Sequence, residues 1–166
     1  MGCRPNDLTG RRFPRNFEIV DPRQTLPSEE VPRKSFRGTF FRLHYPTDWE
    51  CEIIENVPSF FDPDAGWALQ IAATRSASGD CDLRSELRTY LENNSIEFME
   101  ERVVAFETES GLSALACEFT RENRFWMIQF LGSKDRMVIM IFNADEVPDP
   151  DLAIDISRAV GSLEFF

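Results

Sequence analysis

One histidine, four cysteines and a turn with two aspartates are the residues of this 166-residue chain whose types could do chemistry. The histidine, His44, would have to serve any Ser-His or Cys-His nucleophilic pair. It alternates with apolar neighbours in the run FRLHY, which is a strand position and not a catalytic setting. Ser59 is the nearest hydroxyl in a turn, and neither residue sits in the G-x-S-x-G context that exposes a nucleophile. The cysteines, Cys3, Cys51, Cys81 and Cys117, contain no C-x-x-C spacing, and a lone His cannot complete a Cys/His zinc set. Cys51 and Cys117 fall inside strand patterns, where a free thiol packs as a small apolar group. The four are read as reduced thiols in a cytoplasmic protein. Asp62 and Asp64 begin like a calcium loop, but the third oxygen ligand, the glycine and the distal glutamate do not follow from Trp67 onward. No G-x-G-x-x-G or P-loop occurs. The 29 acids are numerous, yet abundance places no two of them at glycosidase spacing. The chain reads as a non-enzyme, with no catalytic residue, no metal and no cofactor.

The elements that carry these residues follow from periodicity. Residues 36–45 alternate as one strand, with Thr39, Phe41, Leu43 and Tyr45 on a common face and Pro46 ending it. Trp49 follows a Pro-Thr-Asp turn and is large enough to plug a sheet end. Residues 50–55 alternate with a glutamate side toward water. Residues 56–58 are read as a turn, 59–61 as a short strand, and 62–66 as a second, acidic turn. Residues 67–74 are small or apolar on both faces, so both faces are expected to be covered. Asp82 caps a helix whose stripe is Leu83, Leu87, Tyr90 and Leu91, ended by Asn93 and Asn94. From residue 102 the chain is an antiparallel meander. Its last two strands, FWMIQFLG and RMVIMIFN, are apolar on both faces and belong at the sheet centre. Asp149 or Asp151 opens a final helix striped by Leu152, Ile156, Val160 and Leu163, with Gly161 as its breaker.

Charge divides the chain. Residues 1–38 sum to +3 and the remainder to −14. A body this acidic repels phosphate backbones, which argues against nucleic acid as a partner. Five prolines in residues 1–35 make that stretch an irregular basic leader, and 36–166 a single domain. The leader's apolar cluster, Phe13, Phe17, Ile19 and Val20, could pin it to the body. No apolar run approaches the ~18 residues of a membrane span. The apolar core of a secretory signal is missing, and Asn6 stands where a myristoylation pattern wants Ser or Thr. A lipid-anchored or exported form through Cys3 is left open.

The order F-x-L-x-Y-P-x-x-W (residues 41–49), an acidic strand, F-x-D-P (60–63), W-x-L-x-I (67–71), a helix, a meander and a C-terminal helix resembles the PsbP-like superfamily. That group includes extrinsic proteins of photosystem II, a Ran-binding nuclear-import factor and many bacterial proteins, some of them chaperones for secreted toxins. The resemblance covers residues 36–166. It implies an α+β fold, an α/β/α sandwich around a largely antiparallel sheet, and binding without catalysis. The leader matches nothing in that group. The functional reading is therefore a protein-interaction module, a secretion-associated chaperone or immunity-type protein, with a protein partner that the charge makes basic. Its rim candidates are Asp48, Trp49, Phe61 and Asp62, at the two turns that carry the resemblance. The plainer reading of those turns is that they only close the sheet. The alternative function is a small-ligand-binding protein or enzyme with a pocket beside Trp49, His44 and Gln70.

Overall fold

The computed structural model describes residues 32–166; Cys3 and the leader up to residue 31 lie outside the described residues. In chain order the strands are β1 (Arg33–Arg37), β2 (Phe41–Pro46), β3 (Glu50–Ile54), β4 (Val57–Phe61) and β5 (Trp67–Arg75), then helix α1 (Leu83–Asn93). A 3-10 turn, Glu100–Arg102, leads into β6 (Val104–Glu107), β7 (Ser113–Arg121), β8 (Arg124–Ser133) and β9 (Arg136–Ala144). Helix α2 (Pro150–Gly161) and β10 (Glu164–Phe165) close the chain.

The two strands that are apolar on both faces take the middle, as their pattern requires. The long sheet runs β3-β4-β5-β9-β8-β7-β6, every neighbour antiparallel. One face of β8 and β9 presents Phe125, Met127, Leu131, Val138, Met140 and Phe142. These pack against α2, through Ile156, Ala159 and Val160, and against a second sheet ordered β1-β2-β10. The other face presents Ile128, Phe130 and Met137 to Leu87 and Leu91 of α1. The fold is thus α+β, a largely antiparallel sheet between two outer layers, one of which adds three short strands to its helix.

Aromatic side chains tie the layers. Phe60 of β4 is fully buried and meets Phe36 and Tyr45 of the small sheet edge-on, at centroid distances of 5.6 and 4.8 Å. Each such ring contributes about 1.5–3 kcal/mol by leaving water. Helix caps follow the sequence reading. Asp82 Oδ1 accepts from the amides of Arg84 and Ser85, and Asp149 Oδ1 from that of Leu152.

Three local expectations are corrected. Residues 36–45 are not one strand: the chain folds back at residues 38–40, so β1 and β2 form a hairpin with Arg37 opposite Arg42. Gly38 permits the fold-back, because a Cβ there would lie 2.5 Å from the Phe41 ring. The strand β1 also draws in Arg33, Lys34 and Ser35. The turn after β3 is Glu55 and Asn56, both at positive φ (51° and 66°), which is the backbone of a two-residue hairpin. Pro58, expected in that turn, lies inside β4; the ladder to β5 starts one residue later, at Ser59. Gly161 ends α2 without a left-handed φ, and Ser162 caps it with its hydroxyl near the carbonyl of Ala159, at 2.8 Å.

One carboxylate works against the fold. Burial pushes the Glu118 carboxyl of β7 above its ordinary value of 4.5. The folded state therefore favours the protonated form, and stability is lost as pH rises from about 4.5 through the raised folded value. Glu118→Gln should raise the melting temperature at pH 7 by about 3 °C, with the gain vanishing below about pH 4. Thermal melts of both proteins from pH 4 to 8 check this, and a gain that does not change with pH would overturn it.

Candidate functional site

The site is best built from β3, one of the two edge strands of the long sheet among the described residues, β6 being the other. Alternation sends Glu50 and Glu52 to one face and Cys51 and Ile53 to the other. The tight hairpin then projects the strand end from the body, leaving Ile53 66% and Ile54 51% exposed. Residues 48–66 hold Asp48, Glu50, Glu52, Glu55, Asp62 and Asp64 and no Lys or Arg. Among the described residues none of these six is in an ion pair. The result is a strand edge that is acidic at its start and apolar at Ile53 and Ile54, with Glu55 in the turn just beyond them.

The four rim residues are brought together. Glu50 pairs with Phe61, which sets Asp48 and Trp49 beside Asp62 at the same end of the hairpin. They are not equivalent. Trp49 is 3% exposed and meets Trp67 edge-on at 4.8 Å, so it is a plug and offers no surface. Phe61 and Asp62 are half-buried, and Asp48 is exposed. Asp62 turns its carboxylate inward on its own loop, where Oδ1 accepts from the amide of Asp64 at 2.9 Å. Asp48 acts at longer range. Burial pushes the Asp155 carboxyl of α2 up, Arg158 opposes this, and the negative field of Asp48 adds to it. Lys34 Nζ donates to the Trp49 carbonyl at 3.0 Å, tying β1 to the start of β3.

The residues of the alternative pocket are not brought together. His44 is exposed on β2, with its amide donating to Ser162 Oγ at 2.8 Å. Leu43 and Tyr45 face the core, so His44 faces away from the long sheet. Gln70 alternates with the buried Leu69 and Ile71 of β5 and emerges on the opposite side of that sheet, where its Nε2 donates to Ser59 Oγ at 3.3 Å. Trp49 lies in the core between them.

A groove of about 470 Å³ opens elsewhere, lined by Ser110, Ser133, Lys134, Asp135, Arg136 and Glu164 among others. Two of its lining side chains are committed: Ser110 Oγ donates to the Leu163 carbonyl at 2.6 Å, and Glu164 is paired with Arg42. The thiols are poor nucleophiles. Cys51, Cys81 and Cys117 are all free, and burial above all pushes Cys117 up to about 11. Among the described residues no group of three or more His, Cys, Asp or Glu could hold a metal ion. Likewise no helix there is long and apolar enough to cross a membrane.

No protein-family model matches the chain, and no curated protein matches it. Solved structures do. The solution structure of cyanobacterial PsbP from Synechocystis sp. PCC 6803 superposes with a TM-score of 0.58 at 10% identity, over 82% of this chain and 94% of that one. The fold is PsbP-like. A crystal structure from Bacteroides thetaiotaomicron VPI-5482 superposes on this chain with a TM-score of 0.56 at 20% identity. It covers 80% of this chain, which spans 48% of the Bacteroides chain. At these identities the likeness concerns the fold, and the β3 edge rests on this chain's own residues.

Sequence reasoning missed Glu50, Glu52, Ile53 and Ile54 as candidates. The available signal was the Ile-Ile pair running into Glu-Asn, an apolar step with no small or Gly residue to hide it. Trp49 gives the sharpest check on how the rim is divided. Trp49→Ala should cost about 3–5 kcal/mol in denaturant unfolding, whereas Asp48→Ala should stay within about 0.5 kcal/mol. Equal small effects would make Trp49 a surface contact after all.

Proposed function

We propose that the protein is a non-enzymatic interaction module that takes a basic protein segment along the β3 edge. The observation that carries this reading is the edge itself: a strand unpaired on its outer side among the described residues, acidic at one end and apolar at the other. An edge strand adds an extended peptide through backbone hydrogen bonds, while side-chain character selects which peptide. Edge glutamates alone would be ordinary protection against self-pairing. The exposed Ile53 and Ile54 do not fit that explanation, because protection does not leave large apolar groups at the open edge. The PsbP-like fold and the lack of a nucleophile–base pair at the described cysteines and His44 also support binding over catalysis. Within this reading, a secretion-associated chaperone or immunity-type protein is the role proposed, and a toxin or secretion gene beside its own would favour it.

Affinity capture from the native host at about 50 mM salt tests the edge, since screening at that ionic strength is weak. The full chain should retain a small set of proteins that salt elutes. Glu50→Lys/Glu52→Lys should reduce their recovery at least about tenfold, as reversal of a complementary charge pattern does. Equal recovery by the variant would sink the proposal.

A further inference from the structure

We infer that the β3 edge is also the docking site of this chain's own residues 11–20 (RRFPRNFEIV), so that a partner must displace them. The inference rests on the binding reading above and names what competes for that edge.

Charge and apolarity match in order. Along β3 the acidic end comes first, with Asp48, Glu50 and Glu52 beside Asp62 and Asp64, and the apolar tip of Ile53 and Ile54 comes second. Along residues 11–20 the three arginines (Arg11, Arg12 and Arg15) fall in the first half, with Phe13 and Pro14 among them, and Phe17, Ile19 and Val20 in the second half, with Glu18 the one acid. Laid parallel to the five-residue β3 with Arg15 opposite Glu52, Arg11 falls opposite Asp48 and Phe17 opposite Ile54, while Phe13 meets Glu50 and Ile19 and Val20 run past the hairpin turn. Pro14 lacks an N–H, which an added outermost strand tolerates where that side faces water.

The connection reaches. The Pro32 carbonyl accepts from the Thr47 amide at 3.2 Å, and Lys34 is bonded to the Trp49 carbonyl, so the chain leaves the described fold beside the start of β3. Val20 and Pro32 are 12 positions apart, a link that spans up to about 40 Å when extended. The strand β3 is only about 17 Å long. A tethered segment of this kind acts at millimolar effective concentration, so weak contacts suffice to populate it. A second copy is a worse occupant, because its own Glu50, Glu52 and Glu55 would face the same three residues.

Hydrogen exchange of the full chain at about 50 mM salt decides the matter. The amides of residues 50–54 should exchange at least about tenfold slower than in Arg11→Glu/Arg12→Glu/Arg15→Glu, with α1 as the unchanged internal control. The difference should collapse at about 0.5 M salt. Combining the arginine reversal with Glu50→Lys/Glu52→Lys should restore the slow exchange. Equal rates in the wild-type and arginine-reversed chains would overturn the inference, and so would protection that rises with protein concentration, which would mark a second copy. The same variants separate this inference from the binding reading. Arginine-dependent protection without any Glu50- and Glu52-dependent capture sinks only the binding reading. Capture that depends on Glu50 and Glu52, with exchange indifferent to the arginines, sinks only the docked leader.

Discussion

Two adjacent strands that are apolar on both faces cannot stand in water on either side. That constraint, set by β8 and β9, organises the rest of the molecule. Their ladder is nine pairs long and places Met127 and Phe142 toward one layer, Ile128 and Phe130 toward the other. Neither strand can be an edge, so β7 and β5 must flank them, and each face needs a lid. Helix α1 supplies one lid. The other is too broad for the 12-residue α2 alone, and the small sheet completes it through Phe41, Leu43 and Tyr45.

Cover is unequal across the sheet, and this decides where function can sit. The contacts of α1 fall on β7 and β8. Toward β3 the same face carries Ala68, Gln70 and Ala72 on β5, Val57, Ser59 and Phe61 on β4, and Glu50 and Glu52 on β3, so its apolar content falls unevenly. At the hairpin tip Ile54 continues this face while Ile53 lies on the opposite one, and both are exposed. An exposed apolar pair costs solubility wherever it is not covered, so its presence at an acidic strand edge is the feature that calls for an occupant.

Much of this was legible from periodicity, and the misses share one cause. Alternation and spacing report which side of its own element a residue occupies. They identify the faces of β8 and β9, both helix stripes and Asp82 as a cap; between Asp149 and Asp151 they do not choose, and they overstate the cover on the second face of β5, where Ala68, Gln70 and Ala72 stay half-exposed. They do not report which element lies alongside. The pairing of β5 with β9, nine residue pairs across more than 60 positions of chain, leaves no local trace. Nor does the tiny β10, which finds β2 from the far end of the sequence. The break at Gly38 was hidden by an alternation that continues through it, and Pro58 read as a turn because strand order was unknown. The same blindness governed the candidate site. His44, Trp49 and Gln70 are close in sequence pattern, yet they lie on three different levels of the stack.

The edge glutamates do two things at once, and the second follows from the first. Like charges facing each other across a new strand pair repel, so the edge rejects copies of itself. Rejection of acidic neighbours is at the same time selection for basic ones, because specificity is a difference between affinities and a repulsive element widens it. The backbone of β3 offers the same hydrogen bonds to any extended chain. Only the order of its side chains, carboxylates and then isoleucines, distinguishes one candidate from another. On the proposed reading, recognition is therefore a property of sequence order along an edge.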